Sequence, residues 1–187
     1  KPILEKLAQA PLRWKGVTII PTDERLVPVS DPLSNVAMLA KIFLPKGARV
    51  LPLNSEAADY KLAGSAANAR LSDLHWPLDL VWLGMGADGH TASIFPGSDY
   101  EEALNPAKGV RAIGVRPDPF PPEAPVDRVT LTVPAIVEAR TTMLVINGAE
   151  KQQVLEQAIE EGKKSAYPVG RVIDALTVPV DIYCLSV

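Results

Sequence analysis

Short apolar runs alternate with amphipathic stretches along most of the chain. Residues 2–10 (PILEKLAQA) place Ile3, Leu4, Leu7 and Ala8 at helical spacing, with Pro2 suited to a first turn. Trp14 to Gly16 read as a turn and Val17 to Ile20 as a short strand, which the chain leaves through the loop PTDERLVPVSDPLSN. Ser30-Asp31-Pro32 reads as a cap with proline in the first turn, opening a helix to about Leu44 with Val36, Leu39, Ala40 and Phe43 on one face. Arg49 to Leu53 are strand-like. Ser55-Glu56 opens an alanine-rich helix to about Leu71, interrupted only by Gly64.

The next strand, Leu78 to Leu83, runs into LGMGADGHTASIFPGS, where three glycines lie within six positions. Residues 99–109 read as a polar connection and Val110 to Val115 as a strand. Five prolines between Arg116 and Asp127 exclude regular structure there. Arg128 to Val133 alternate, with Val129, Leu131 and Val133 on one face and Arg128, Thr130 and Thr132 on the other. A helical turn (Pro134 to Arg140), a buried strand (Met143 to Ile146) and a helix ending near Gly162 follow. Pro168 to Ile173 form a last short helix and Val178 to Leu185 a closing strand.

Strands alternating with helices predict an α/β fold: a mostly parallel twisted sheet with helices on both faces. Ligands bind beyond the carboxyl ends of strands in such sheets. Three predicted strand ends carry polar clusters: Asp23-Glu24-Arg25, Asp88-Gly89-His90 and Asn147 to Lys151.

Composition narrows the class. At 187 residues, 47% hydrophobic and 22% charged, the chain has the balance of one globular domain. A net charge of −3 supplies no basic field for nucleic acid or an anionic membrane, so neither is an expected partner. No apolar run reaches the ~20 residues that span a bilayer. The single cysteine, Cys184, rules out an intramolecular disulfide and reads as a small core residue in the apolar run 180–187. No secretory leader is visible, and a cytoplasmic setting is the expectation. Lys1-Pro2-Ile3 opens directly in helical pattern, so residues before Lys1 are expected in the natural protein.

The glycine loop carries the candidate chemistry. His90 is one of two histidines; the other, His75, lies in a polar turn. Histidine titrates near neutrality and can take a proton from water. Asp88 can orient the imidazole, while Gly86 and Gly89 expose amides able to hold an oxyanion or phosphate. Arg25 suits an anion clamp. Lys151, in a helix first turn, opposes the helix dipole unless an anion sits there. Each has an ordinary alternative: an exposed histidine on a turn, a local ion pair, a solvated lysine. No metal-ligand spacing and no serine triad is present, and no cofactor is expected.

These residues resemble a known family. GADGHTASIFPGS (86–98) is similar to the signature of 6-phosphogluconolactonases of the type related to glucosamine-6-phosphate isomerase. TDERLVPVSDPLSN (22–35), DRVTLTVPAIVEA (127–139), GAEKQQVL (148–155) and PVGRVI (168–173) resemble further family blocks, in family order. Ser93-Ile94-Phe95-Pro96 matches the lactonase branch; the deaminase branch has an asparagine-glutamate-proline segment there, and a DEY where this chain has Asp23-Glu24-Arg25.

The resemblance implies a Rossmann-like, glucosamine-6-phosphate deaminase-like fold over 1–187. A family strand, helix, second strand and phosphate loop are expected before Lys1. It implies metal-independent hydrolysis of 6-phospho-D-glucono-1,5-lactone by a monomer or weak homodimer. His90 is the implied general base, Asp88 its orienting partner, and the amides near Gly86 and Gly89 the oxyanion donors. Arg25 and Lys151 are the implied phosphate ligands, with Arg128 and Arg171 as further candidates and Asp23 and Asn35 lining the substrate. Two other functions stay open: a glucosamine-6-phosphate deaminase or isomerase, and a non-catalytic sugar-phosphate binder.

Overall fold

The computed structural model describes residues 2–54 and 59–185. Strands and α-helices are numbered in chain order. β1 (Thr18–Ile19) and β3 (Arg49–Val50) pair in parallel. β4 (Val81–Leu83), β7 (Thr142–Asn147) and β8 (Val180–Leu185) form a second parallel sheet, with β7 in the middle. β2 (Asp23–Arg25), β6 (Arg128–Leu131) and β5 (Ala112–Val115) form an antiparallel sheet centred on β6. The helices are α1 (Pro2–Leu7), α2 (Asn35–Phe43), α3 (Tyr60–Leu71), α4 (Tyr100–Leu104), α5 (Val133–Val137), α6 (Ala149–Glu161) and α7 (Pro168–Asp174). The α/β alternation and parallel pairing are as expected; the antiparallel sheet is the addition.

That sheet corrects the reading of Asp23-Glu24-Arg25 as loop. The three residues pair with Thr130, Val129 and Arg128. Glu24 is fully buried, and its carboxylate accepts hydrogen bonds from the amides of Asn35 (2.8 Å), Val36 (2.6 Å) and Arg25 (2.9 Å). Asn35 and Val36 open α2, whose first amides have no partner within the helix. A strand residue thus caps a helix that follows it. The cap within the helix's own flank is Ser34, accepting from Ala37 N at 3.2 Å, and not Ser30. Asp31 instead accepts from Leu33 N at 2.8 Å, which turns the chain before the helix begins.

Helix α3 packs on β5 through small residues. Ala63 and Ala67 are buried, and Gly64 faces Gly114 so closely that a Cβ on either would collide with the other element's backbone. The main core spreads from this contact to Leu83, Leu131, Ile136 and Leu144. A smaller core joins Trp14, Leu39 and Phe43, with the two rings 5.2 Å apart. Such a ring pair contributes about 0.5–1.5 kcal/mol beyond its buried area.

Other expectations change. The opening of α3 at Ser55-Glu56 lies outside the described residues; within them Asp59 caps the helix through Leu62 N. The alternation in β6 does not divide core from solvent, because all four of its residues are buried. Residues 99–109 contain α4. Of the proposed apolar face of α1, only Ala8, just beyond the helix, is buried; Ile3 and Leu7 are exposed. Cys184 is exposed rather than core, since β8 is an outer strand whose last five described residues face solvent. His75 is exposed, as expected.

Two predictions arise from these contacts. Gly64→Ala or Gly114→Ala should lower stability by about 1–3 kcal/mol or more, because the obstruction is backbone. An unchanged urea midpoint would refute the close contact. Burial raises the Glu24 carboxyl above its usual range, against the pull of its three amide donors. The folded chain then holds this proton more tightly than the unfolded chain does. Stability therefore falls as pH rises from the ordinary carboxylate range through the raised value. Against Glu24→Gln, which cannot titrate, the wild-type chain should lose ground across that window. A wild-type advantage growing with pH there would mean that the amides outweigh burial.

Candidate active site

A cleft of about 350 Å³ opens where β2, the loop after β4, and the start of α6 meet. Asp23, Arg25, Asn35, Gly86, His90, Arg128 and Lys151 all line it. Seven of the ten site residues read from the sequence are therefore brought together. Asp88 and Gly89 do not line the cleft themselves, and Asp88 reaches it through His90. Arg171 is on α7 and does not line the cleft; its charge acts on the Tyr100 phenol. A larger groove of about 510 Å³, beside Tyr60, Arg116 and Phe120, holds no histidine, and its Arg116 is spent on a two-pronged ion pair with Asp127.

The loop after β4 presents His90 in a defined way. Its Nδ1 lies 2.5 Å from Asp88 Oδ1, and its backbone N–H donates to the same oxygen at 3.2 Å. A carboxylate at Nδ1 selects the tautomer with the proton there, which leaves the Nε2 lone pair open. The same hydrogen bond holds the Asp88 carboxyl below its usual range, so it stays ionised. Gly86 permits the arrangement: a Cβ there would strike the His90 ring and lie 2.5 Å from Asp88 Oδ1. The opposite neighbour is Phe95, whose ring centroid is 4.3 Å from that of His90. Gly89, at φ +77°, has its carbonyl held by Val169 N at 3.0 Å, so the start of α7 braces the loop.

The expected amide donors are not free. Gly86 N–H donates to His90 O at 2.9 Å and Gly89 N–H to Gly86 O at 3.1 Å. These bonds shape the loop and remove both amides from a part in holding an oxyanion.

The other wall is cationic. Arg25 and Arg128 are direct cross-strand partners on β2 and β6. Like charges placed opposite each other in a sheet repel. Arg128 is 2% exposed; burial pulls its guanidinium below its usual value, and the attraction of Asp23 opposes this more than the repulsion from Arg25 adds to it. Its Nη2 donates to Ala124 O at 3.1 Å and its Nε is buried with no partner among the described residues. Arg25 shows the same pattern: Nη1 donates to Leu33 O and Asn35 Oδ1, and Nε is buried and unmatched. Its guanidinium does not simply pair with its neighbouring carboxylates. Lys151 Nζ donates to Met85 O at 2.7 Å, bridging α6 to the glycine loop. Paired arginines with unmet donors, opposite an oriented histidine, suit an anionic substrate.

Some contributors were not singled out in the sequence. Ser93, fully buried, donates to Asp23 Oδ2 at 2.7 Å and so ties the histidine loop to β2. Ala92, on the cleft wall, sits at φ +49°, a conformation uncommon outside glycine. Glu123, from the proline-dense loop, faces the cleft. Ser93 stands in the continuation that resembles the lactonase branch, but no local pattern gives the role of any of the three, because those roles depend on contacts with distant segments.

Replacing Gly86 by alanine should push the imidazole off Asp88 at a stability cost of about 0.5–1.5 kcal/mol. In NMR spectra the downfield Nδ1 proton of His90 should vanish in the variant. Its persistence would show that the ring and Gly86 are not in close contact.

Comparison with known proteins agrees with this geometry. The family model described as glucosamine-6-phosphate isomerases/6-phosphogluconolactonase matches residues 1–178. A 6-phosphogluconolactonase of Mesorhizobium japonicum is 38% identical over 95% of this chain and 74% of its own length. One from Rhizobium meliloti is 35% identical over 98% of this chain and 79% of its own. The crystal structure of a 6-phosphogluconolactonase from Shewanella baltica superposes with a TM-score of 0.89 at 29% identity, covering 100% of this chain and 78% of that one. With His90 and its cationic wall on one cleft and this likeness along the chain, the protein belongs to the glucosamine-6-phosphate isomerase/6-phosphogluconolactonase family.

Proposed function

We propose that the chain hydrolyses 6-phospho-D-glucono-1,5-lactone to 6-phospho-D-gluconate, a step of the pentose phosphate pathway. The lactonase relatives support the reaction. The observation that carries the residue roles is one cleft lined by a carboxylate-oriented histidine and by two arginines whose buried Nε atoms have no partner among the described residues.

In this reading the substrate phosphate binds Arg25 and Arg128, with Lys151 beside them. The phosphate relieves the repulsion between the two arginines and satisfies their buried Nε donors, so part of the binding free energy is supplied by the free site's own unfavourable electrostatics. His90 Nε2 takes a proton from water as the oxygen attacks the lactone carbonyl carbon. The Asp88 carboxylate favours the imidazolium that results. The intermediate collapses by breaking the bond from the carbonyl carbon to the ring oxygen, and the imidazolium returns its proton to that oxygen. Asp23 and Asn35 line the same cleft and are assigned to the sugar hydroxyls in this reading. Burial of the substrate as a small, soluble molecule needs no nucleic acid or membrane, and no helix among the described residues is long and apolar enough to cross one.

His90→Gln should reduce kcat/KM by about 10²–10⁴-fold while leaving the fold intact. The check is lactone disappearance, corrected for spontaneous hydrolysis, in the full-length protein. Turnover close to wild type would remove His90 from the mechanism. Ammonia release from glucosamine 6-phosphate would instead place the chain with the deaminases, and tight lactone binding without any turnover would make it a sugar-phosphate binder.

A further inference from the structure

Phe95 touches one residue of each functional wall, His90 and Arg128, and has no part in the chemistry described so far. One side of its ring meets the His90 imidazole, with centroids 4.3 Å apart and planes tilted by 33°. The Arg128 guanidinium lies 5.2 Å from the centroid of the same ring. Arg128 is itself immobile, being 2% exposed, placed in the central strand of the antiparallel sheet and held to Ala124 O. Phe95 therefore touches a buried, hydrogen-bonded cation as well as the imidazole. Ile94, its neighbour, is fully buried, and Ile94 N bonds Thr91 O at 3.0 Å, so the segment carrying the ring is anchored as well.

We infer that Phe95 is a positioning residue for His90: it fixes the imidazole by contact with the ring, as Asp88 fixes it by its edge, and so aims Nε2 into the cleft. The inference rests on the reading of His90 as the base. A hydrogen bond to Nδ1 alone leaves the imidazole free to swing about that bond. The close approach of Gly86 restricts one direction and the Phe95 ring another. Three contacts of different kinds then define one orientation. When His90 takes a proton, the electron-rich face of Phe95 is also a favourable neighbour for the charge.

The contact makes a kinetic prediction that a role in folding alone does not. Phe95→Leu removes the ring and should lower kcat about ten- to a hundredfold with KM changed less than about twofold, the pattern of a misplaced catalytic group. Phe95→Tyr keeps the ring and should recover most of the loss. If the leucine variant is poorly folded by urea unfolding, Phe95→Met, closer in volume, takes its place. In a His90→Gln background the same substitution should have no further effect on the residual rate, since the residue acts through the imidazole. Nitrogen-15 spectra supply a second readout. His90 should be a single Nδ1-protonated tautomer in the wild type and a mixture in Phe95→Leu, with His75 as the internal reference.

The inference is overturned if Phe95→Leu keeps kcat within twofold, if the tyrosine variant fails as badly as the leucine one, or if the loss is equal in both His90 backgrounds. These outcomes differ from failure of the proposed function, which would appear as no lactone hydrolysis by the wild-type protein or as no effect of His90→Gln.

Discussion

The buried Glu24 carboxylate is the contact on which the substrate wall depends. It sits in β2 and binds the first amides of α2, so strand and helix are joined at the point where both enter the cleft. Asp23 and Arg25 flank it in sequence, and Asn35 is one of the residues it binds. Three cleft residues are thereby placed by one group. A carboxylate at a helix N-terminus is favoured by the helix dipole, but here it is also fully buried, and burial opposes its charge. The balance is held by three amides within hydrogen-bond reach. A hydroxyl or amide cap could close the helix, but it offers one acceptor oxygen where Glu24 offers two to its three donors.

The cleft uses electrostatic tension in the opposite sense. Where Glu24 is satisfied, Arg25 and Arg128 are not: each keeps a buried Nε without a partner. Cross-strand pairing forces them together, and the ladder between β2 and β6 makes that pairing a matter of backbone register. In the proposed function an anion bound here adds to the offset that Asp23 already gives the two like charges. Across the cleft, His90 is held by groups with no surplus, with Asp88 at Nδ1, Gly86 close by and Phe95 on the ring. One wall is left wanting a ligand and the other is locked before it arrives.

The glycine loop was legible because its signals are local. Closely spaced glycines after an apolar run, with an aspartate two residues before a histidine, need only their own sequence to specify a turn that pairs those side chains. Helices with clear apolar spacing were legible for the same reason. Asp23-Glu24-Arg25 was not, since three consecutive charged residues look like loop and become a strand only when β6 is supplied from a hundred residues away. Arg128 was read as a weak candidate because its partner across the ladder cannot be seen in one dimension. Gly64 looked like a mere interruption of a helix, while its cause is Gly114 on another element. Cys184 misled in the other direction: an apolar run promises burial, but the outer position of β8 leaves its side chains without a covering layer among the described residues. The Ser30 cap was displaced by Ser34 for a similar reason, as Glu24 decides where α2 begins.

The proline-dense segment between β5 and β6 has a thermodynamic meaning beyond the absence of regular structure. It supplies Glu123 to the cleft and Ala124, fully buried, to the Arg128 guanidinium, and its neck is closed by the ion pair of Arg116 with Asp127. Pyrrolidine rings restrict φ in every conformation the segment can adopt, so little freedom remains to be surrendered when a ligand arrives. A glycine-rich rim would have to be ordered at each encounter, at a cost to affinity. Here that entropy is lost once, as the chain folds, and the rim meets each substrate molecule already in shape.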